Sequence, residues 1–210
     1  MIIYDIITFK VYIIFYGRNA VINFIDSLLR LDGEILLWIQ NNLRTDLLND
    51  IFIFLTSLGN GGRIWIVLSL ILLIPKKTRK VGAICALSLI FSLLFNNMML
   101  KKLIDRTRPF VTLDGLNNLV SVSDSSFPSG HTSSSFSAAV VMLRNLPKKF
   151  GIPAFILAVI IAFSRLYIGV HYPSDVIGGI ITGTLCSVLA QFLINKTIEL
   201  YSKKKSDSAN

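Results

Sequence analysis

The sequence predicts an all-α, integral-membrane helical bundle of five spans, preceded by an N-terminal interfacial helical segment. Of its 210 residues, 53% are hydrophobic and only 16% are charged, and the mean hydropathy is +0.65. Soluble domains average about 45–50% apolar and about 25% charged residues. A chain this short cannot bury such an excess in a soluble core. Soluble enzymes, disordered chains and disulfide scaffolds are therefore excluded as classes.

Residues 1–45 are predicted to lie at the membrane interface. Met1–Tyr16 is apolar but is interrupted by Asp5 and Lys10, and it is shorter than the roughly 20 apolar residues that a span needs. In Asn19–Leu43 apolar residues recur at helical spacing with polar residues between them, a pattern typical of amphipathic interfacial helices. A sixth span near the N-terminus is an open alternative.

Five longer apolar segments lie within residues 46–195, which we assign to a membrane core. The third is rich in Ser, Ala and Gly, which favours packing against other helices over contact with lipid. The fifth carries Gly179 and Gly183, whose spacing allows two helices to approach closely. The five segments are Leu58–Ile74, Val81–Leu100, Pro128–Leu143, Ile152–Val170 and Val176–Ile194.

Charge placement predicts the topology. Eleven of the 21 basic residues fall between spans one and two, between spans three and four, and after span five. These positions share one side of a five-span bundle, and the positive-inside rule makes that side cytoplasmic. Residues 196–210 are then a basic cytoplasmic tail of a cell-membrane protein. The net charge of +9 is explained by topology, so a nucleic-acid partner is not expected, and the oligomeric state is left open.

The opposite, extracytoplasmic side receives the loop 101–127 and the turn 171–175. Four basic residues begin that loop, on the side where they should be rare. Reaching towards lipid headgroups accounts for Lys102 and Arg106. Lys101 and Arg108 are predicted to form an anion clamp, because a guanidinium makes forked contacts with phosphate and an ammonium supplies a point charge.

Pro128-Ser129-Gly130-His131 opens span three on the same side. Proline is favoured at a first helical position, and the next amides point out of the helix N-terminus. The small Ser129 and Gly130 would let an anion approach those amides, and His131 would lie within reach of it. Taken alone, a simple Ser/Gly helix start explains this string equally well.

Two further features lie at the same level. Arg165 stands inside an apolar run, where an ionisable residue marks a functional site by default, although it is close enough to the helix end to reach the interface. His171 is followed four residues later by Asp175. If Pro173 starts the fifth helix, Asp175 lies in its first turn and can fix the tautomer of the imidazole.

Together these residues favour phosphate chemistry. The two histidines of the chain fall on one face with three basic residues and a helix N-terminus, and no cysteine or carboxylate cluster suits a metal. One imidazole can attack phosphorus while the other protonates the leaving oxygen. The cations would neutralise the equatorial oxygens, a role that a metal has elsewhere. We therefore expect no metal and no other cofactor.

Three strings resemble the signature motifs of the type 2 phosphatidic acid phosphatase family in residue type, order and spacing. They are Lys101-(six residues)-Arg108-Pro109, Pro128-Ser129-Gly130-His131 and Ser164-Arg165-(five residues)-His171-(three residues)-Asp175. The resemblance implies that His171 is the nucleophile, that Asp175 orients it and that His131 is the general acid. It further implies that phosphate is bound by Lys101, Arg108, Ser129, Gly130 and Arg165.

The resemblance also implies a lipid phosphate or diphosphate substrate that meets the protein in the bilayer. Small bacterial members similar to this chain commonly hydrolyse undecaprenyl diphosphate to undecaprenyl phosphate. Phosphatidylglycerophosphate and phosphatidate are the alternative substrates, since the motifs contact only phosphate. A non-catalytic lipid-binding protein is disfavoured, because a binder needs neither a nucleophile nor a proton donor.

Overall fold

The structure, a computed structural model, describes Asn23 and residues 26–207, and this part of the chain is helical without strands. Residues 26–43 form α1. The next elements are α2 (Asp46–Leu58), a 3-10 turn (Asn60–Gly62) and α3 (Arg63–Leu73). They are followed by α4 (Arg79–Phe91), a π-helix (Ser92–Leu100), α5 (Lys101–Ile104), α6 (Pro109–Thr112), α7 (Gly130–Asn145), α8 (Lys148–Tyr167) and α9 (Pro173–Asp207).

Among the described residues, three helical stretches are long and apolar enough to cross a membrane. They are Arg79–Thr112, Lys148–Tyr167 and Pro173–Asp207. A fourth crossing is available if the bent pair Asp46–Leu58 and Asn60–Leu73, which meet at 44°, counts as one span. The all-helical membrane architecture is therefore confirmed, whereas the count of five spans is not.

The first expected span, Leu58–Ile74, is interrupted near its start. Leu58 ends α2, and Gly61 and Gly62 adopt φ of 58° and 69°, a left-handed backbone that glycine enters without steric cost. The following α3 has 11 residues, about 16 Å of helix, which is well short of a hydrocarbon core of about 30 Å. Only α2 and α3 together are long enough to cross.

The third expected span is α7, and it is a buried helix rather than a lipid-facing one. Its serine hydroxyls bind neighbouring helices: Trp65 Nε1 donates to Ser135 Oγ at 2.8 Å, and the hydroxyls of Ser92 and Ser133 lie 2.8 Å apart. Small polar residues are suited to close helix contacts inside a membrane. The same residues lower the hydropathy of α7, so composition alone does not mark it as a span.

The predicted close contact of the fifth segment with a neighbour is confirmed. A Cβ atom placed on Gly183 would lie 2.4 Å from the carbonyl oxygen of Ser133, and one on Gly179 would lie 2.7 Å from that of Ser129. Both contacts join α9 to α7. Only glycine permits this separation, and α7 is thereby held against the start of α9, where the candidate site lies.

The N-terminal region contacts the bundle at the same end. Leu36 and Ile39 of α1 are buried, and Ile39 packs with Tyr167 and Ile168 at the end of α8. The apolar segment Met1–Tyr16, and with it the alternative of a sixth span, lies outside the described residues. Residues 196–207 of the basic tail continue α9 as helix. The boundaries 1–45, 46–195 and 196–210 remain predictions.

Candidate active site

Four chain segments bring the predicted residues together at one end of the bundle. They are the α5–α6 region, the start of α7, the end of α8 and the turn that leads into α9. A cavity of about 520 Å³ lies between them. It is lined by six of the eight predicted site residues, namely Lys101, Arg108, Gly130, His131, Arg165 and His171. Asp175 lies behind His171 and is fully buried, and Ser129 is not part of the lining.

His171 has a defined tautomer. Its Nε2 lies 3.1 Å from Arg108 NH1 and its Nδ1 lies 3.4 Å from Asp175 Oδ2. A guanidinium can only donate hydrogen bonds, so Nε2 must accept and the ring proton must be on Nδ1, facing the carboxylate. Pro173 begins α9, as expected, and this places Asp175 in the first turn. The Nε2 lone pair is consequently directed to the cationic side of the cavity.

His171 is held in its neutral form. It is 1% exposed, and burial lowers its pKa well below 6.5, helped by the positive charges of Arg165, Arg108 and Lys101. A protonated imidazole has no lone pair at Nε2. The surroundings of His171 therefore preserve a nitrogen that can attack an electrophile at neutral pH.

Arg165 supplies a donor that no described residue uses. Its NH1 donates to Thr56 Oγ1 at 2.6 Å, while its Nε is buried and has no hydrogen-bond partner among the described residues. Buried polar atoms are rarely left unpaired, because desolvation without a partner is costly. A buried guanidinium with an unpaired N–H, lining a cavity, is suited to bind an anion. Although Arg165 is close to the end of α8, its side chain is buried and does not extend to the membrane interface.

Lys101 and Arg108 meet as predicted, and both contact a carboxylate that the sequence did not single out. Asp124 Oδ2 pairs with Lys101 Nζ, and Asp124 Oδ1 lies 2.5 Å from Arg108 NH2. Burial alone would raise the pKa of Asp124, but the hydrogen bonds and charges of Lys101 and Arg108 outweigh it and lower the pKa to about 2. Asp124 is therefore ionised at neutral pH.

The start of α7 differs in detail from the expectation. The helix begins at Gly130, and Ser129 is its N-cap, accepting from the Thr132 amide at 3.4 Å. Pro128 precedes the helix and is not its first residue, because Ser129 has an extended backbone (φ −66°, ψ 113°) and caps the helix instead. The Gly130 and His131 amides have no intrahelical acceptor at this position. A role of Ser129 in phosphate binding remains a prediction.

His131 lines the cavity from its other side. Its Nε2 lies 2.9 Å from Asn60 Oδ1, and a Cβ atom on Gly59 would come within 2.8 Å of its ring. The glycine-rich break between α2 and α3 thus packs against the imidazole and supplies a polar partner for it. The sequence signal for this contact was the string Gly59-Asn60-Gly61-Gly62, which we interpreted only as the entry to a span.

Arg106 is the main residue that the sequence interpretation misplaced. It does not reach towards lipid headgroups: its NH1 donates to Asp175 Oδ1 at 2.6 Å and its NH2 to Asp32 Oδ2 at 2.9 Å. Its guanidinium also lies 3.9 Å from the ring centroid of Tyr172. Asp32 belongs to α1 and accepts from the Ser174 amide at 2.9 Å. Two buried carboxylates oblige the cation to stay inside the protein.

The opposite end of the cavity is apolar. Its lining includes Ile66 and Leu70 of α3 and Leu89, Ile90 and Leu93 of the α4 and π-helical segment. Four of these, Ile66, Leu70, Ile90 and Leu93, are about half exposed on the outside of the bundle. One cavity therefore joins a cationic, histidine-bearing end to side chains at the lipid-facing surface. Among residues 26–207, no group of three or more His, Cys, Asp or Glu is placed to hold a metal ion.

A helical membrane bundle with such a cavity defines a class of protein, the membrane phosphatases that act on lipid phosphates. The PAP2 superfamily matches residues 81–198. The chain belongs to this superfamily, and it is a lipid phosphatase.

Named relatives agree with this class. The chain is 35% identical over 144 residues to an undecaprenyl-diphosphatase of Sulfolobus acidocaldarius, covering 68% of this chain and 69% of that protein. It is similar to the crystal structure of LpxE from Aquifex aeolicus, with a TM-score of 0.68, 28% identity and coverage of 78% of this chain and 94% of the other. It also resembles a PAP2 type phosphatidylglycerolphosphate phosphatase from Bacillus subtilis, with a TM-score of 0.67, 28% identity and coverage of 81% and 87%.

Proposed function

We propose that the protein hydrolyses undecaprenyl diphosphate to undecaprenyl phosphate at the extracytoplasmic face of the cell membrane, through a phosphohistidine at His171. The observation that carries this proposal is the cavity that joins the cationic end to the apolar surface. An amphiphile can place its phosphate between the cations while its chain lies along α3 and the π-helical segment. A water-soluble phosphate would gain nothing from the apolar end.

In the first step His171 Nε2 attacks the terminal phosphorus. A new N–P bond forms, and the bond from phosphorus to the bridging oxygen breaks. Arg165 and the amides at the start of α7 bind the phosphoryl oxygens, where preorganised donors stabilise charge that develops in the transition state. Asp175 stabilises the imidazolium that forms, as a buried carboxylate does when it accepts from Nδ1.

His131 completes the reaction. In its protonated form it donates a proton to the departing undecaprenyl phosphate oxygen, and it then removes one from the water that attacks the phosphohistidine. The N–P bond breaks, orthophosphate leaves and neutral His171 is restored. His131 thus acts as general acid in the first step and as general base in the second, as is common in two-step hydrolysis.

The identity of the substrate is supported by the relatives. A curated relative at 35% identity is named for undecaprenyl diphosphate, whereas a structural neighbour at 28% identity is named for phosphatidylglycerolphosphate. Phosphatidylglycerophosphate is therefore the second candidate substrate, and phosphatidate is the third. All three are amphiphiles with a terminal phosphate, so residues that contact only phosphate do not distinguish them.

The side of the membrane is supported by charge. Eleven basic residues lie in or beside the loop after α3, beside the loop after α7, and in the C-terminal part of α9. These places are at the opposite end of the helices from the cavity. The positive-inside rule then makes the cavity extracytoplasmic.

The test uses purified protein in detergent with undecaprenyl diphosphate, phosphatidylglycerophosphate and phosphatidate in parallel, with and without EDTA. We expect the fastest phosphate release from undecaprenyl diphosphate, unchanged by EDTA. Rapid-quench experiments with substrate labelled on the terminal phosphate should trap an acid-labile, base-stable protein adduct. Asp175→Asn should slow turnover by at most about 10⁴-fold, the cost of a wrongly held tautomer in a related arrangement.

The matched control is His171→Ala, which should give neither adduct nor turnover. Label that still accumulates on this variant would reject His171 as nucleophile. Loss of activity with EDTA would reject the metal-free mechanism. A protein that binds all three lipids and hydrolyses none would favour the lipid-binding alternative.

A further inference from the structure

Asp124 occupies the donors that a bound phosphate would use. One carboxylate oxygen pairs with Lys101 Nζ and the other lies 2.5 Å from Arg108 NH2. A single carboxylate therefore bridges two cations, and all three side chains line the same cavity. Phosphate binds guanidinium and ammonium groups through the same kind of charge-assisted bonds.

Most hydrogen-bond donors of Arg108 already have partners within the protein. Its Nε donates to the Asp124 carbonyl at 2.8 Å, and its NH1 lies 2.7 Å from the Val170 carbonyl and 3.1 Å from His171 Nε2. Its NH2 is the remaining nitrogen, and this is the one that holds the Asp124 carboxylate. NH2 and Lys101 Nζ each keep one further N–H, so a phosphoryl group can approach both cations beside Asp124. It then shares them with a carboxylate of like charge, and it gains the remaining two N–H groups only when the Asp124 side chain turns away.

The main chain around Asp124 is fastened separately. Besides the bond from Arg108 Nε to the Asp124 carbonyl, Lys101 Nζ donates to the Ser125 carbonyl at 3.0 Å, and Ser125 Oγ donates to the Lys101 carbonyl at 3.0 Å. These bonds join the loop to the two cations independently of the carboxylate. The side chain of Asp124 is 61% exposed, so it can turn towards water when a stronger anion arrives.

We propose that Asp124 competes with phosphate for Lys101 and Arg108, weakening the binding of substrate and product alike and returning to the two cations as orthophosphate leaves. Orthophosphate, once released from His171, would otherwise remain on the same cations that held the substrate. The Asp124 carboxylate is always close to these cations, and it repels a second anion bound to the same donors. It therefore weakens the binding of orthophosphate and limits product inhibition. The role assigned here rests on the proposed function.

The experiment compares Asp124→Asn with Asp114→Asn. Asp114 lies in the same loop and is exposed, so its substitution removes the same charge without touching the cations. Orthophosphate and orthovanadate binding to detergent-solubilised protein is measured by calorimetry, which requires no turnover. Inhibition of lipid phosphate hydrolysis by the same anions is measured alongside it.

We expect Asp124→Asn to lower the dissociation and inhibition constants of both anions by about 10-fold or more, the scale of one removed like-charge contact. It should also lower KM, and it should lower kcat if release of orthophosphate limits turnover. Asp114→Asn should match the wild type. Unchanged or weaker anion binding in Asp124→Asn would overturn the inference, because weaker binding is what a residue that merely orients the two cations would give.

The two proposals fail separately. If the wild type hydrolyses lipid phosphates but Asp124→Asn does not tighten anion binding, competition by Asp124 is wrong and the proposed function stands. If Asp124→Asn tightens anion binding but neither protein hydrolyses a lipid phosphate, the proposed function is wrong and the competition stands. Asp124→Ala repeats the comparison without the residual amide and should give the same direction.

Discussion

Arg106 donates to Asp175 Oδ1 at 2.6 Å, and the same guanidinium donates to Asp32 of α1. The carboxylate behind His171 is therefore shared between the imidazole and a buried cation. Asp175 further accepts from the Tyr172 amide at 2.8 Å and from the Ser126 hydroxyl. With every oxygen occupied, the carboxylate has one orientation, and α1 is linked to the candidate site through Asp32.

Arg106→Ala should lower both stability and turnover. It leaves two buried carboxylates facing each other without a cation, a defect that typically costs about 3–5 kcal/mol. We expect a clear drop in melting temperature and a fall in kcat of about 100-fold or more, because a displaced Asp175 no longer aligns His171. Lys102→Ala removes an exposed neighbouring charge and serves as the control. An Arg106→Ala enzyme with wild-type kcat would show that Asp175 needs no such support.

His131→Ala should depend on the leaving group. A general acid contributes about 10²–10⁴-fold when the departing oxygen needs a proton, but an activated group such as p-nitrophenolate departs almost unaided. We expect a large loss of kcat/KM with undecaprenyl diphosphate and a much smaller loss with p-nitrophenyl phosphate. His171→Ala should be inactive with both. Equal losses for His131→Ala on the two substrates would assign His131 to binding instead of proton transfer.

The topology can be tested by cysteine labelling in intact cells. Ser121 lies in the exposed part of the α6–α7 loop and Lys77 in the exposed loop after α3. The native Cys85 and Cys186 are buried and should give little background. A membrane-impermeant thiol reagent should label Ser121→Cys but not Lys77→Cys. The reverse pattern would place the cavity on the cytoplasmic side.

The stability of the fold should depend on pH through His171. Burial, together with the charges of Arg165, Arg108 and Lys101, holds its pKa well below 6.5, the usual value in an unfolded chain. As the pH falls below 6.5, the unfolded chain takes up a proton that folded His171 does not. The free energy of unfolding therefore decreases, by up to about 1.4 kcal/mol per pH unit for one proton.

In His171→Gln, the unfolded chain no longer takes up a proton at this position, so this contribution to the pH dependence of stability is lost. We expect its melting temperature to fall less between pH 7 and pH 5 than that of the wild type, measured in the same detergent and salt. Identical slopes for the two proteins would mean that the folded His171 takes up a proton as readily as the unfolded one.

The contact between α9 and α7 should tolerate no added atom. Gly183→Ala places a Cβ 2.4 Å from the Ser133 carbonyl oxygen, and overpacking of this kind typically costs about 1–3 kcal/mol. A lower melting temperature is expected, together with reduced activity, because α7 carries His131 and α9 carries Asp175. Leu185→Ala, on the exposed side of α9, is the control. A Gly183→Ala protein as stable as this control would show that the helices can separate at no cost.

The sequence alone predicts a membrane protein of this class, and it names most of the residues that line the candidate site. Apolar composition requires a bilayer. His171 lies two residues before α9 and Asp175 lies in its first turn, so local geometry alone brings those two groups together. Six of the eight residues singled out by motif spacing line one cavity. The number of spans does not follow from the sequence as clearly. The helix α7 packs among the other helices and is rich in serine, so its hydropathy is lower than that of a helix that faces lipid.

Which charges meet across long separations in the chain does not follow from the sequence. Arg106 and Lys102 are alike in sequence, yet Arg106 lies between Asp32 and Asp175, 74 and 69 residues away, and Lys102 faces outward. In the sequence, no motif or spacing marks Asp124, and only its position in the fold shows that it pairs with Lys101 and Arg108. Charge pairs of this kind depend on where distant helix ends come together, and periodicity and motif spacing describe only neighbours along the chain.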